Sequence, residues 1–456
     1  MGDCRRPKPN VVLCLCDQLR AFEVGAYGNG VIRTPNLDRM ASSGVRFEIA
    51  CSNSPLCTPA RSVLISGQYN RSCTGTMQNV GEPIGSRQCL PEPTLAEVLR
   101  EAGYTTGLIG KWHIGPEPRL AGFDYALYPR FTHRYTGQTY IEDGKEFVVR
   151  EFAPDFEAWK LRQYVAQHRD EPFFLFHNIA QPHMPLLDAP ARYRALYPRD
   201  AVPLRPNVFR DGKPAYDENW FKIYLWDYLY YRDHLPHTAK LPDGFDLRDL
   251  AALYYAMTTC TDDQVGTLMA ALESNGLADN TLVVFVSDHG DNLGSHHRFN
   301  KQLLIEESIR VPLLFQWPGR LAPRVVAGQV ASLVDVMPTV LSLLQIPAPE
   351  KTQGTDLAAV LRGEVATAGE NAAYVETSEN LLGVRTATHL YGFEMAGDWT
   401  NGAWRPLDAS HQFFDLRDDP YELNNLAGSG RQAELAGELR TRLLRWNSAT
   451  PWLKLP

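Results

Sequence analysis

Four short apolar segments, each ending abruptly in polar residues, constrain the fold of this chain more than any other feature. They cover residues 11–16, 105–109, 173–176 and 282–286. Unbroken apolar runs of this length are typical of strands buried on both faces, as in parallel sheets. Helix-type segments lie between them. Strands that alternate with helices predict an α/β fold, in which a large, mostly parallel sheet is sandwiched by helices.

Two of the helix-type segments carry clear signals of their own. Residues 94–103 begin with Thr94 and Glu97, which are spaced as a capping box, and end at Gly103. Residues 246–276 carry apolar side chains at helical spacing. Both segments are therefore predicted to be helices that cover the sheet.

The last quarter of the chain has a different pattern. After a short helix that follows Val336, residues 347–351 are predicted to be a linker. Strand-like pieces and a final helix follow, at 373–376, 383–386, 413–416 and 432–446. We predict a catalytic α/β domain over residues 1–346 and a smaller C-terminal α+β subdomain over residues 347–456, packed on the first.

The charge and the hydropathy of the chain argue against some classes of binding partner. The 456 residues carry a net charge of −8 and no polybasic run, which argues against nucleic acid or an anionic membrane. No stretch approaches the roughly 18 apolar residues of a membrane span. Residues 1–10 are polar, and the apolar run after them is too short for a signal peptide. We expect a cytoplasmic enzyme, with a removed leader left open.

The cysteines do not form a disulfide or zinc pattern. There are eight, without a C-x-x-C pair, in a long chain. Buried thiols are favoured over a disulfide framework, and no second Cys/His cluster has zinc-ligand spacing.

Acidic and amide side chains follow two of the predicted strands. Asp17 and Gln18 come after the first strand, and Asp288 and His289 follow the segment 282–286. In open α/β sheets, ligands bind beyond the carboxyl ends of the strands. Two carboxylates, an amide oxygen and an imidazole favour a hard divalent cation, calcium or magnesium, over zinc. Asp-His-Gly-Asp alone is more typical of a turn.

Basic side chains are spread along the same chain. They are Arg61, Lys111, His113, His183 and Lys301. Lys111 and His113 share a side if their segment is extended. Each of these residues alone is more typical of a solvated or satisfied group, but a basic pocket around a metal suits a tetrahedral anion, sulfate or phosphate.

The run Cys57-Thr58-Pro59-Ala60-Arg61 places a thiol, a fixed φ and a permanent cation within about one turn. This order indicates a nucleophile beside an anion-binding group. An isolated C-x-P-x-R run is also compatible with a loop cysteine before a helix.

Together these residues resemble a known family, the formylglycine-dependent sulfatases of the alkaline-phosphatase-like superfamily. The motifs that carry the resemblance are Asp17-Gln18, residues 34–44, Cys57 to Arg61 with Ser66-Gly67, Gly110-Lys111-Trp112-His113, Pro182-His183, Ser287-Asp288-His289-Gly290, Lys301 with Glu306-Glu307-Ser308, Arg310-Val311-Pro312, and Phe414-Asp415-Leu416 with Asp419-Pro420. They span nearly the whole chain in the family's order.

The resemblance implies that a formylglycine-generating enzyme oxidises Cys57 to formylglycine during maturation. The hydrated aldehyde would then attack the sulfate ester and form a covalent sulfo-enzyme intermediate, which collapses through the second hydroxyl. One divalent metal is implied, Ca²⁺ before Mn²⁺ or Mg²⁺. Its implied ligands are Asp17, Gln18, Asp288, His289 and the modified Cys57.

The resemblance also implies roles for the basic residues. Arg61 and Lys111 would hold the hydrated aldehyde and neutralise the anion. His113 would deprotonate the second hydroxyl, and His183 and Lys301 would contact the sulfate and assist the leaving oxygen.

Some residues depart from the usual family pattern. Many sulfatases have two adjacent aspartates where this chain has Cys16-Asp17, with Gln18 after, and His289 replaces a common asparagine. The Asp-Gln form is similar to that of choline-sulfatase-like enzymes and phosphonate monoester hydrolases, whereas the retained Lys111 and His113 favour sulfate esters.

The leading hypothesis is a sulfatase that hydrolyses an organic sulfate monoester, with a small molecule or a saccharide as leaving group. One alternative is a phosphonate monoester or phosphodiester hydrolase on the same scaffold. Another is a non-catalytic anion- or metal-binding protein with an unmodified Cys57. We expect specificity to lie in loops at 116–150 and 205–245. The aromatic residues of 205–245 are compatible with a substrate cleft, a homo-oligomer contact or a small core of their own.

Overall fold

The computed structural model describes residues 8–81, 85–87, 89–130, 133–215, 243–397 and 404–454. Its strands are β1 (Asn10–Asp17), β2 (Val45–Cys51), β3 (Thr105–Gly110), β4 (Tyr125–Pro129), β5 (Thr136–Glu142), β6 (Lys145–Phe152), β7 (Phe173–Pro182), β8 (Phe209–Arg210), β9 (Lys213–Pro214), β10 (Thr281–Ser287), β11 (Leu313–Gln316), β12 (Arg324–Ser332), β13 (Ala372–Glu376), β14 (Leu381–Thr386), β15 (His389–Ala396) and β16 (Arg405–Asp415). Its α-helices are α1 (Pro35–Ser43), α2 (Cys57–Ser66), α3 (Asn70–Cys73), α4 (Leu95–Glu101), α5 (Ala153–Gln167), α6 (Ala191–Arg194), α7 (Leu247–Ser274), α8 (Glu306–Ile309), α9 (Val336–Leu343), α10 (Ala358–Arg362) and α11 (Ala433–Ala449).

Ten strands form one central sheet, in the order β12-β2-β11-β10-β1-β7-β3-β4-β5-β6. The four apolar segments of the sequence form the adjacent strands β10, β1, β7 and β3, and the three pairings among these four strands are parallel. The α/β fold with a mostly parallel sheet is therefore confirmed. Because β1 and β10 are neighbours with Cys16 opposite Ser287, the residues that follow them meet at one edge.

Both faces of the sheet are covered by buried apolar side chains. Along β1, Val11 and Leu13 point into one cluster, whereas Val12 and Cys14 point into the other. The predicted helices lie over residues 95–101 and 247–274, and the Thr94–Glu97 capping box is present. Burial on both faces explains why the strands lack polar alternation.

The prediction that residues 116–150 form a loop is wrong. It contains β4, β5 and β6, which extend one edge of the large sheet. The signal is a two-residue turn, Asp143-Gly144, between β5 and β6. Both residues have positive φ, 49° and 83°, as a type I′ hairpin turn requires.

The C-terminal part forms a four-stranded antiparallel sheet, β13-β14-β15-β16, with α11 against it. This confirms the smaller α+β subdomain, although β15 was not predicted. Leu382, Tyr391 and Leu443 belong to the same buried cluster as Val11 of the large sheet. The two sheets thus share one continuous core, and the boundary at residue 346 stays a prediction.

The predicted aromatic segment lies largely outside the described residues. Residues 216–242, which include Tyr224, Trp226, Tyr228, Tyr230 and Tyr231, belong to the undescribed part. Within the described ranges, no helix combines the length and apolar character needed to cross a bilayer. The seven cysteines in these ranges are all free thiols, as predicted.

Candidate active site

Two carboxylates from neighbouring strands form the base of the site. Asp17 and Asp288 are fully buried at the ends of β1 and β10. One oxygen of each, Oδ2, is bound by Arg61, at 3.2 Å for Asp17 and 3.0 Å for Asp288. Burial and the nearby Asp17 raise the pKa of Asp288. A pair of buried acids in this arrangement favours a bound cation.

Cys57 occupies the first position of helix α2 and has no solvent exposure. Its Sγ lies 3.1 Å from Lys301 Nζ, 3.4 Å from His289 Nε2 and 3.7 Å from Lys111 Nζ. Burial alone would raise the pKa of the thiol, but Lys111 and Lys301 outweigh it and hold the pKa well below its usual range. The helix N-terminus also favours negative charge here. The site is built to hold an anion at this atom.

Arg61 lies one helical turn after Cys57, on the same side of α2. Besides the two carboxylates, its guanidinium donates to the Lys111 carbonyl and to Asn178 Oδ1, each at 3.0 Å. The four-residue spacing of the C-x-P-x-R motif therefore joins the cysteine to the acid pair through one turn of helix. Arg61 thereby fixes the positions of both acids.

Replacement of Arg61, whose charged side chain is fully buried, should lower the stability of the fold strongly. We expect Arg61→Met to lower the free energy of unfolding by about 3–5 kcal/mol, because the buried Asp288 loses its guanidinium partner and the buried Asp17 keeps Lys111 but loses Arg61. Urea unfolding in the presence of a chelator measures the change. The matched control is Arg119→Met, whose exposed pair with Asp143 should contribute less than about 1 kcal/mol. Equal small losses in both variants would contradict the role of Arg61.

The remaining atoms fit a cation site. Asp17, Cys57, Asp288 and His289 each offer one ligand atom within 4.8 Å of the others. His289 Nε2 lies 3.7 Å from Asp17 Oδ1 and 3.5 Å from Asp288 Oδ1. His289 Nδ1 lies 2.9 Å from the Gly290 carbonyl, which fixes the tautomer and leaves the Nε2 lone pair toward the carboxylates.

Gln18 is adjacent to this group, but its side chain is engaged elsewhere. Oε1 accepts a hydrogen bond from Lys301 Nζ at 2.8 Å, and Nε2 donates to Asp291 Oδ2 at 2.6 Å. Its backbone N–H donates to Asp288 Oδ1 at 3.0 Å. In this arrangement Gln18 orients Lys301 and Asp288, and its place among the metal ligands stays a prediction.

Lys111 and His113 both lie beside Cys57. The predicted reason was that they share one side of an extended segment. His113 has φ of 51°, so the backbone turns there and the extended geometry is wrong. Lys111 Nζ contacts Asp17 Oδ2. His113 Nε2 is 2.9 Å from the Val80 carbonyl. Burial lowers the pKa of His113, and Cys57 partly opposes this shift.

His183 follows β7, and its buried side chain lies near Asp17, Lys111 and Cys57. Burial, with Lys301 as the next contribution, lowers its pKa to about 4. Its Nδ1 lies 2.9 Å from the Met184 carbonyl. The ring of His133 packs against it at a centroid distance of 4.2 Å, with the two ring planes tilted by 35°.

Three residues of this neighbourhood were not predicted from the sequence. Asn178 accepts a hydrogen bond from Arg61, Asp291 accepts one from Gln18, and the ring of His133 packs against that of His183. Asn178 and Asp291 lie near the carboxyl ends of β7 and β10, and this position in the sequence could have indicated that they belong to the site. His133 comes from the segment between β4 and β5, and nothing in its local sequence indicated the site.

Comparison with known proteins identifies the family. The family model "Sulfatase" matches residues 9–346, about three quarters of the chain. The chain belongs to the sulfatase family. A second model, the C-terminal part of N-sulphoglucosamine sulphohydrolase, matches residues 294–449 of this sulfatase. As a member of this family, it is a sulfuric ester hydrolase.

Curated relatives of this sulfatase extend over nearly its whole length. The ulvan-active sulfatase of Formosa agariphila is 29% identical, covering 96% of this chain and 80% of that protein. The N-acetylglucosamine-6-O-sulfatase of Bacteroides thetaiotaomicron is 27% identical, covering 96% and 87%. The arylsulfatase of Clostridium perfringens is 30% identical, covering 96% and 94%.

Solved structures share the fold of this sulfatase. The sulfatase YidJ of Bacteroides fragilis superposes with a TM-score of 0.79 at 26% identity, covering 99% of this chain and 97% of that one. The phosphonate monoester hydrolase of Agrobacterium radiobacter superposes with a TM-score of 0.72 at 23% identity, covering 97% and 96%. The second likeness concerns the fold alone.

Proposed function

We propose that this sulfatase hydrolyses an organic sulfate monoester, with Cys57 as formylglycine for its nucleophile and one divalent cation in the site. The observation that carries the proposal is the surroundings of Cys57 Sγ. Two lysine ammonium groups and a His289 nitrogen lie within 3.7 Å of this atom. Two buried carboxylates complete a cation site on the same side.

The Cys57 sulfur occupies the position at which a hydroxyl of the hydrated aldehyde would lie. A geminal diol supplies an oxygen nucleophile and a second hydroxyl through which the sulfated enzyme releases its product. Asp17, Asp288, His289 and the modified Cys57 would hold the cation, with Gln18 beside them. Mainly oxygen donors favour Ca²⁺, with Mn²⁺ or Mg²⁺ as alternatives. When bound, the cation acidifies the nucleophile and offsets negative charge.

The basic residues then act on the sulfate group and on protons. Lys111 and Lys301 neutralise the charge of the anion at the position of Cys57, and burial strengthens this attraction. His113 accepts the proton of the second hydroxyl. His183, whose pKa is lowered to about 4 by burial, gains affinity for a proton when an anionic sulfate lies beside it. With Lys301 it donates to the leaving oxygen.

A saccharide sulfate is the substrate class that we favour. Support comes from relatives whose names specify carbohydrate sulfates, the ulvan-active sulfatase and the N-acetylglucosamine-6-O-sulfatase. The pocket at Cys57 recognises the sulfate, so the sugar would be selected by residues around its entrance.

Phosphonate monoester or phosphodiester hydrolysis is the second candidate. It is favoured by the Asp17-Gln18 form of the first motif and by the shared fold. Parallel kinetics on an aryl sulfate, an aryl phosphonate monoester and an aryl phosphodiester separate the two. We expect kcat/KM to be largest for the sulfate. A larger value for either phosphorus ester would refute the sulfate preference.

Mass spectrometry of the peptide that contains Cys57 tests the modification. Protein from a host that produces the formylglycine-generating enzyme is expected to carry the aldehyde at Cys57. Cys73, another buried thiol, serves as the internal control and should remain a cysteine. If active protein carries only unmodified Cys57, the proposed nucleophile is wrong, and an inactive thiol form would instead favour a non-catalytic binding protein.

A further inference from the structure

A second group of metal-type ligands lies apart from the Cys57 site. His296, Glu307 and Glu422 each offer one ligand atom within 4.8 Å of the others. They come from the loop after β10, from helix α8 and from the loop after β16. The carboxylates of Glu307 and Glu422 have no solvent exposure, and the His296 side chain is 24% exposed. With the buried Asn207, these residues form what we call the His296 cluster.

The charges around the cluster leave one carboxylate without a cation. Glu306 is paired with Arg385 at 2.8 Å, and Glu307 is paired with Arg205 at 2.6 Å. Among the described residues, no lysine or arginine forms an ion pair with Glu422. Its Oε2 accepts a hydrogen bond from the Glu306 backbone N–H at 3.0 Å. A buried carboxylate in this position needs either a proton or a cation.

The cluster also contains more acceptors than donors. The Asn207 Nδ2 group has two N–H bonds but lies near three acceptors, Glu307 Oε1 at 2.8 Å, His296 Nε2 at 3.1 Å and the Tyr421 carbonyl at 3.2 Å. Meanwhile Asn207 Oδ1, Glu307 Oε2 and Glu422 Oε1 are buried without a hydrogen-bond partner. A buried acceptor that is left without a partner destabilises the fold. A cation would satisfy several of them at once.

We propose that the His296 cluster binds a second divalent cation, which joins the C-terminal sheet to the catalytic part of the chain. One imidazole nitrogen with carboxylate and amide oxygens suits a first-row transition ion such as Mn²⁺ or Zn²⁺ better than Ca²⁺. This cation is independent of the reaction at Cys57. It would hold Glu422, which follows β16, against helix α8.

Metal counting tests the proposal. The full-length protein is freed of metal with a chelator, equilibrated with Mn²⁺ by dialysis, and analysed by elemental mass spectrometry. We expect two ions per chain in the wild type and one in Glu422→Gln, which keeps an acceptor for the Glu306 N–H. Asp17→Asn should lose the other ion and retain this one. An unchanged ion count in Glu422→Gln would overturn the proposal.

The count also separates this proposal from the catalytic metal. If the wild type binds one ion that Glu422→Gln loses and Asp17→Asn keeps, the second site stands and the proposed catalytic metal fails. The reverse pattern overturns the His296 cluster and leaves the catalytic metal intact.

Thermal unfolding tests the second cation site independently, with the variant His296→Ala at the partly exposed ligand. Mn²⁺ is expected to raise the Tm of the wild type and of Asp17→Asn. In His296→Ala the increase in Tm should be smaller than in the wild type, because only the catalytic site can still bind the ion. The double variant Asp17→Asn/His296→Ala should show no increase, while its metal-free circular dichroism spectrum reports that it is folded. If Mn²⁺ raises the Tm of the double variant as much as that of Asp17→Asn, a proton or a water fills the cluster and the proposal fails.

Discussion

Replacement of Cys57 by alanine is expected to abolish turnover of a sulfate monoester while the protein remains folded. The change removes the proposed nucleophile and the atom around which Lys111, Lys301 and His289 converge. Loss of a nucleophile typically lowers kcat by about 10⁴-fold or more. Steady-state kinetics on an aryl sulfate measure the loss, and thermal unfolding reports the fold.

The control for this variant is Cys73→Ala, which removes another buried thiol from the core. It should lose some stability through the cavity that it leaves and keep its kcat. Undiminished activity in Cys57→Ala would refute the assignment of the nucleophile. Equal losses of activity in both variants would point to a general packing defect instead.

Removal of the divalent cation is the second change for which we expect a near-complete loss of activity. After exhaustive chelation, the buried ligand atoms of Asp17, Asp288 and His289 would lose the cation that they are proposed to hold, and the nucleophile would no longer be acidified. Added Ca²⁺ should restore activity, with Mn²⁺ or Mg²⁺ tested in parallel. Ca²⁺ at a hundred times its Kd should also stabilise the fold by about 2.7 kcal/mol.

The matched variant for chelation is Asp288→Asn, which keeps the shape of the side chain but removes a charge. Its activity should not recover at the Ca²⁺ concentration that restores the wild type. Full activity of the wild type after chelation, with a metal content near zero by elemental analysis, would rule out the cation's role.

The large sheet and the acid pair were predictable because buried parallel strands leave a simple pattern. Unbroken apolar runs marked β1, β3, β7 and β10, and the order of neighbours then brings Asp17 and Asp288 to one edge. That convergence follows from the geometry of parallel strands, whose carboxyl ends lie at the same edge. The four-residue spacing of Cys57 and Arg61 is explained by helix α2, which places both residues on one side, one turn apart.

Other parts of the site depend on backbone conformations that local sequence does not specify. The turn at His113, with its positive φ, brings that residue to Cys57, whereas an extended segment was expected. His133 reaches His183 only through the tertiary position of the segment between β4 and β5. The hairpin of β5 and β6 was predictable from Asp143-Gly144, but the signal was overlooked.

The position of Cys57 also sets an order of events in the life of the chain. Its side chain has no contact with solvent and lies at the start of a helix whose ten residues are all buried. The enzyme proposed to oxidise this thiol would not reach it in the folded protein, so it would act on the nascent or unfolded polypeptide. Folding and maturation would then compete in time, and the active fraction of a preparation would record which of them was faster during synthesis.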